Sequence, residues 1–263
     1  MSFSKKNLLP RSTPLQPHSR AIIVGASSGI GAALALRLAR QGYTLALVAR
    51  REDLLKDLCR KIDQHADDKR ALYFVHDVTD HASVPALLGR IISELGGLDV
   101  FVFSAGITHP PGLRVFDFEN DRQTVEVNLL GALAWLNPVA AIFQQLKSGQ
   151  IVGISSVAGE RGRVANPSYN ASKAALTCYL EALRNRLSSH GVNVLTIKPG
   201  FVRTDSLKEA KVTFGVISPE RAADLIYKAM RRRKQEAYIP GLWRLLMFVV
   251  RNIPSLIFRR LAF

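Results

Sequence analysis

Cysteine is scarce: the 263 residues contain two, Cys59 and Cys178. Two thiols cannot build a disulfide framework, and neither sits in a CxxC or metal-ligand spacing. Both are expected as buried or half-buried free thiols, which points to a reducing, cytoplasmic compartment. The six histidines are scattered without an HxH or HxxxH pair, so no protein metal site is expected. Long hydrophobic runs are also missing, the longest being about half the roughly 20 residues that a spanning helix needs. The opening stretch, MSFSKKNLLPRSTPLQPHSR, has no apolar centre and is broken by three prolines. It reads as a mobile basic arm, residues 1–20, and not as a secretory signal.

Acid is scarce at both ends. The net charge is +15, from 36 Lys and Arg against 21 Asp and Glu. Residues 1–20 hold four cations and no acid, and residues 228–263 hold nine cations against Glu236 alone. The body between them carries only +3. A nucleic-acid binder usually carries its positive charge on the folded body, in a groove or along a helix, so no nucleic-acid role is expected. Charge confined to the ends points to what the ends touch. For the C-terminal end an anionic membrane is one candidate; for the N-terminal arm, solubility is the plainer reading.

What is present is ample apolar material, 48% of the chain, enough for a sizeable core. Short apolar runs at 21–24, 43–49, 71–76, 98–103, 149–155 and 192–198 predict strands. Helical periodicity fills the intervals, near 51–65, 80–95, 119–146, 167–189 and 218–233, with Ser218 and Pro219 as a capped start of the last. Strand–helix alternation with strands apolar on both faces predicts an α/β fold: one doubly wound parallel sheet, Rossmann-like, with helices on both faces. Residues 21–240 read as one domain, since no linker divides them. Such sheets bind ligands at the carboxyl ends of their strands.

The first chemical signal is VGASSGIGAAL, where Gly25, Ser27, Ser28, Gly29, Ile30 and Gly31 join the first strand to the first helix. Glycines there let backbone approach a diphosphate, and the helix start offers unpaired N–H groups. The end of the second strand then selects the nucleotide. Where an acidic residue would accept bonds from a ribose diol, this chain has Arg50 and Arg51. Two guanidiniums suit a 2′-phosphate, so NADP(H) is expected over NAD(H).

The second signal is PSYNASKAAL. Tyr169 and Lys173 lie four apart on one helix face, where a cation can lower a phenol's pKa. Ser156 ends the strand before them. Together with the glycine loop, in this order, the chain resembles the short-chain dehydrogenase/reductase family over roughly residues 20–240. Further matches are Asp77 in HDVTD, FSAG at 103–106, Asn128 in VNLLG, and KPGFVRT with Pro199, Gly200, Val202 and Thr204. The resemblance implies that Asp77 and Val78 flank an adenine and that Tyr169 moves the substrate proton. It implies that Lys173 lowers the Tyr169 pKa and holds the nicotinamide ribose, that Ser156 polarises a carbonyl, and that Asn128 holds a relay water. Ser104, Ala105, Gly106 and the 199–204 stretch would border the cofactor. The family's usual N-N-A-G is here Phe103-Ser104-Ala105-Gly106, which removes a structural brace. Homodimer pairing through helices 119–146 and 167–189 is also implied.

The expected function is therefore NADP(H)-dependent interconversion of a ketone and a secondary alcohol, as a reductase on a lipophilic molecule. The apolar lid stretch Val212–Ile217 and the greasy tail favour that substrate class. Two alternatives stand beside it: a small polar carbonyl with the tail used for oligomerisation, and a non-catalytic NADP-binding sensor at a membrane. The tail, 241–263, contains Pro254 and predicts two short helical pieces. Arg244 and Arg251 fall within about 20° of each other on a helical wheel, leaving Leu245, Leu246, Phe248 and Val249 as an apolar face. Trp243 is expected at the headgroup boundary, with peripheral attachment to the inner face of a membrane. Packing of the tail on the body or across a dimer is the competing expectation.

Overall fold

The computed structural model describes residues 19–64, 69–109, 116–204 and 215–261. The N-terminal arm up to residue 18 and the first half of the lid stretch, 212–214, lie outside the described residues.

Every apolar run becomes a strand of one parallel sheet: β1 Arg20–Val24, β2 Thr44–Ala49, β3 Ala71–Val75, β4 Val100–Phe103, β5 Gln150–Ile154 and β6 Asn193–Pro199. A seventh, β7 Glu236–Ile239, extends the sheet beyond β6. The strand order is β3-β2-β1-β4-β5-β6-β7, and all registers are parallel. Between consecutive strands run α1 Gly29–Ala39, α2 Glu52–Asp63, α3 Val84–Leu95, α4 Phe118–Val125, α5 Gly131–Leu146, α6 Pro167–Leu187 and α7 Pro219–Arg231. The chain ends in α8 Trp243–Asn252 and α9 Ser255–Phe258.

The central strands are buried on both faces, and this is why they read as unbroken apolar runs. One face is covered by α1, α2 and α7, whose Leu34, Leu55 and Ile226 meet Ile23 and Leu47. The other is covered by α3, α5 and α6, whose Ile91, Trp135 and Leu180 meet Ile22 and Phe101. β3 is the edge: Tyr73 and Val75 point to solvent, so its pattern alternates. At the opposite edge, β7 was not legible in the sequence. Four residues starting with Glu carry no strand signal of their own; the open edge of β6 supplies their hydrogen-bond partners.

The run 119–146 divides into α4, a π-helical turn at Glu126–Leu130, and α5. By length and hydropathy 118–146 passes as a membrane span, yet half of its apolar window is buried in the body. Cys59 is buried as expected, whereas Cys178 is exposed, a correction: its position on α6 faces away from the sheet. Ser218 caps α7 as expected, its Oγ accepting from the Arg221 N–H at 3.2 Å with Pro219 in the first turn.

Candidate active site

The carboxyl ends of β1 to β6 bring together segments spread across 180 residues. After β1, Gly25 has φ +86° and a β-carbon there would lie 2.6 Å from Ala105 Cα. No side chain other than hydrogen fits, so the loop after β4 sits directly on the glycine loop. Ser28 stands at the N-cap of α1 but its side chain makes no cap bond, leaving the first-turn N–H groups open. Gly29 faces Thr204, whose Cγ2 lies 3.0 Å from the position of an added β-carbon.

Arg51, exposed at the start of α2, folds back toward β1. Its Nη2 donates to Ser28 Oγ at 2.6 Å and Ser27 Oγ at 3.0 Å, over the mouth of the glycine loop. Glu52 and Asp53 take the first turn of α2, the polarity that the helix favours. Arg50 pairs with Asp77 at 3.4 Å. Burial pushes the Asp77 pKa up, but hydrogen bonds from Thr79 and the Arg50 charge outweigh it and hold the carboxyl low. A cavity of about 560 Å³ opens beside this pair, lined also by Thr79, Ile107, Thr108 and Val127. Val78 is buried, its side chain packed on Gly131. These features fit an adenine nucleotide: open amides for the diphosphate, two guanidiniums beside them, and a cavity further along the edge.

The other half of the site lies beyond β5. Ser156 follows that strand, buried, its Oγ accepting from the Ala158 N–H at 3.0 Å. Tyr169 and Lys173 are on α6, one turn apart. Burial raises the Tyr169 pKa, while a hydrogen bond with Ser156 and the charge of Arg163 pull it down. The net shift is upward. Lys173 is buried, which pushes its pKa down to about 8. Its Nζ donates to Ile154 O at 3.0 Å and lies 5.8 Å from the Tyr169 ring centre. An added β-carbon on Gly106 would meet Asn128 Oδ1 at 3.2 Å and Lys173 Nζ at 3.3 Å, so those three converge.

Asn128 sits in the π-helical turn. Its amide accepts from the Ile107 N–H at 2.7 Å and donates to Ile107 O at 2.9 Å and Ser172 Oγ at 3.2 Å. That ties the loop after β4 to α6, and an inserted helical residue at such a position often marks a functional site. Ser104 N donates to Val24 O at 2.8 Å, binding the same loop to β1. Pro199 ends β6, and the Gly200 N–H donates to Ile239 O at 2.9 Å. Val202 is buried, bridged to Ile217.

Sequence reasoning missed three participants. Arg163, between Ser156 and Tyr169, is half-buried with its Nε unpartnered, and its charge reaches the Tyr169 phenol. Glu160 is buried against Lys198 at 2.6 Å, and Trp243 of the tail packs with Val157 and Phe201 beside the site. No spacing rule marks these residues: Glu160 and Trp243 have partners distant in the chain, and Arg163 reaches Tyr169 from a loop.

Comparison with known proteins places this geometry. The short chain dehydrogenase family model matches residues 19–213. An uncharacterized oxidoreductase of Mycobacterium tuberculosis is 31% identical over 245 residues, 92% of this chain and 97% of that one. Another, from Myxococcus xanthus, is 33% identical over 227 residues, 86% of this chain and 88% of its own. Among solved structures, a variant of actinorhodin polyketide ketoreductase with NADPH superposes with a TM-score of 0.75. It is 23% identical and covers 84% of this chain and 95% of its own, which speaks to the fold. With Ser156, Tyr169 and Lys173 at the carboxyl edge of a seven-stranded doubly wound sheet, the chain belongs to the short chain dehydrogenase family of oxidoreductases.

Proposed function

We propose that the protein is an NADP(H)-dependent reductase of a ketone on a lipophilic molecule. One observation carries the reading: Ser156, Tyr169, Lys173 and Asn128 converge beside an uncapped helix N-terminus flanked by two arginines. The nicotinamide, when bound, supplies the hydride. The protein supplies the rest. The Tyr169 hydroxyl donates its proton to the carbonyl oxygen as negative charge develops there, and the Ser156 hydroxyl donates a hydrogen bond to that oxygen. Lys173 holds the nicotinamide ribose and favours the phenolate left behind. The amide of Asn128 fixes the loop after β4 and holds the water that returns a proton. Open amides of α1 take the diphosphate, and Arg50 and Arg51 take the 2′-phosphate. With all four groups in place, a sensor without turnover has no missing part to explain its inactivity.

The lipophilic substrate is supported by Val157, Phe201 and Trp243, an apolar cluster packed against the segments that carry Ser156 and Gly200. Turnover of ketones of graded chain length, followed by NADPH oxidation, tests it. Each buried methylene contributes about 0.8 kcal/mol, so kcat/KM should climb about fourfold per CH₂ until the cleft is filled. A flat profile would leave the reductase and remove its lipophilic substrate. The homodimer expected through α4, α5 and α6 is checked by light scattering, where a monomer mass would refute it.

Arg163 makes a separate prediction. Its charge lowers the Tyr169 pKa, so Arg163→Met should raise that pKa. Reduction needs the protonated phenol, and its rate falls as the proton is lost. The alkaline limb of the kcat profile should therefore move to higher pH in the variant. An unmoved limb would show that the guanidinium does not act on Tyr169.

A further inference from the structure

The helix α8 has two faces that meet different surroundings. Inward, Trp243, Met247 and Val250 are buried with Val157, Phe201, Tyr238 and Phe258. This corrects the expectation for Trp243: its indole lies on the Gly200 backbone, so close that no β-carbon could be accommodated there, and not at a headgroup boundary. The far end of α8 is pinned by Arg161, whose Nη1 donates to the carbonyl oxygens of Val250 and Ile253, each at 2.6 Å. The same guanidinium stacks 3.8 Å from the Phe258 ring centre. Arg251 pairs at 3.2 Å with buried Glu160, which also accepts from the Tyr238 hydroxyl at 2.9 Å. Arg161 and Glu160 belong to the turn that directly follows Ser156. The tail is therefore locked to both the Ser156 segment and the Gly200 loop.

Outward, Leu245 is 70% exposed, Phe248 69%, Val249 60%, Leu256 65% and Ile257 54%. Five large apolar side chains on one short stretch exceed the scattered singles normal for a surface. Arg244 and Arg251 border this face, Arg259 and Arg260 follow α9, and no acidic residue occurs after Glu236. That charge pattern selects the occupant. A second copy seated on this face would set cations against cations with no tail carboxylate between them. The N-terminal arm, with Lys5, Lys6 and Arg11 and no acid, would do the same. An anionic lipid surface supplies both an apolar boundary and fixed negative charge.

We propose that the outer face of α8 and α9 seats the enzyme on an anionic bilayer in one fixed orientation. The apolar side chains enter the headgroup–acyl boundary and Arg244, Arg259 and Arg260 meet lipid phosphates. Because the inner face is locked to the catalytic segments, the cleft is held at a set position relative to the lipid and does not swing on a tether. The proposal stands whether or not the reductase reading does, since it is read by lipid binding alone.

The test sediments the full-length protein with vesicles of phosphatidylglycerol and phosphatidylcholine, and with phosphatidylcholine alone. Wild-type protein should pellet with the anionic vesicles at low salt and be released as salt is raised. The double substitution Phe248→Glu, Val249→Glu should stay in the supernatant. Arg259→Gln with Arg260→Gln should weaken partitioning about thirtyfold at low salt, at about fivefold per arginine. All four positions are at the surface, and an unchanged thermal melt confirms that the fold is kept; if the glutamate variant does not fold, the arginine variant decides. Wild-type protein remaining in the supernatant overturns the proposal, as does pelleting of either variant at the wild-type level. A solution mass that falls to monomer in the glutamate variant also overturns it, because the face would then be a subunit contact.

Discussion

Replacing Tyr169 by Phe should lower carbonyl turnover by about 10²- to 10⁴-fold, the range for a lost acid–base group, with cofactor binding retained. The ring is kept; what is lost is the hydroxyl and its proton. The environment makes the residue costly to replace. Burial works against the phenolate, and Ser156 and Arg163 offset part of that penalty. Near-normal kcat in Tyr169→Phe, measured by NADPH oxidation, would overturn the assigned chemistry. Lys173→Met should damage two steps at once, raising the cofactor KM as well as lowering kcat. The reason is position: Nζ sits between the Ile154 carbonyl and the meeting point of Gly106 and Asn128, at the centre of the cleft.

Charge reversal at the end of β2 should produce the second large effect. Each charge-assisted bond to a 2′-phosphate contributes about 1.5–3 kcal/mol, so Arg51→Asp should weaken NADPH binding by about ten- to a hundredfold. NADH binding should be spared or improved, because a carboxylate there accepts from a ribose diol. Arg51 is held over Ser27 and Ser28, so its guanidinium is already placed beside the glycine loop and little ordering entropy remains to be lost. Arg50, held by one contact to Asp77 at 3.4 Å, is the looser of the two, and Arg50→Asp also sets two carboxylates side by side. Calorimetric titration of both nucleotides measures the switch. Equal affinities of the wild-type protein for NADPH and NADH would sink the assignment.

Five of the six apolar runs were legible because their strands are central, buried on both faces and with little room for polar residues; β3, at the edge, was legible from its own apolar and aromatic residues. The glycine loop was legible because a backbone at φ +86° against Ala105 leaves no choice of residue at Gly25. Tyr169 and Lys173 were legible because their spacing is that of one helix turn. β7 was not, since its pairing comes from an open edge and not from its own four residues. The π-helical turn that aims Asn128 at Ile107 was equally hidden, being one inserted residue inside a continuous helical pattern.

The tail shows where the two sources of information divide. Composition alone determined that 241–263 is apolar, basic and broken at Pro254, and two short helices follow from that. Which side chains turn inward was decided only by the body. Trp243 fills the space over Gly200, Arg161 caps the end of α8, and Glu160 draws in Arg251. Local patterns fix which elements form, because backbone hydrogen bonds and periodicity act over a few residues. Long-range contacts, here between residues about 90 apart, decide which face is buried, because burial depends on the shape and charge of what lies opposite.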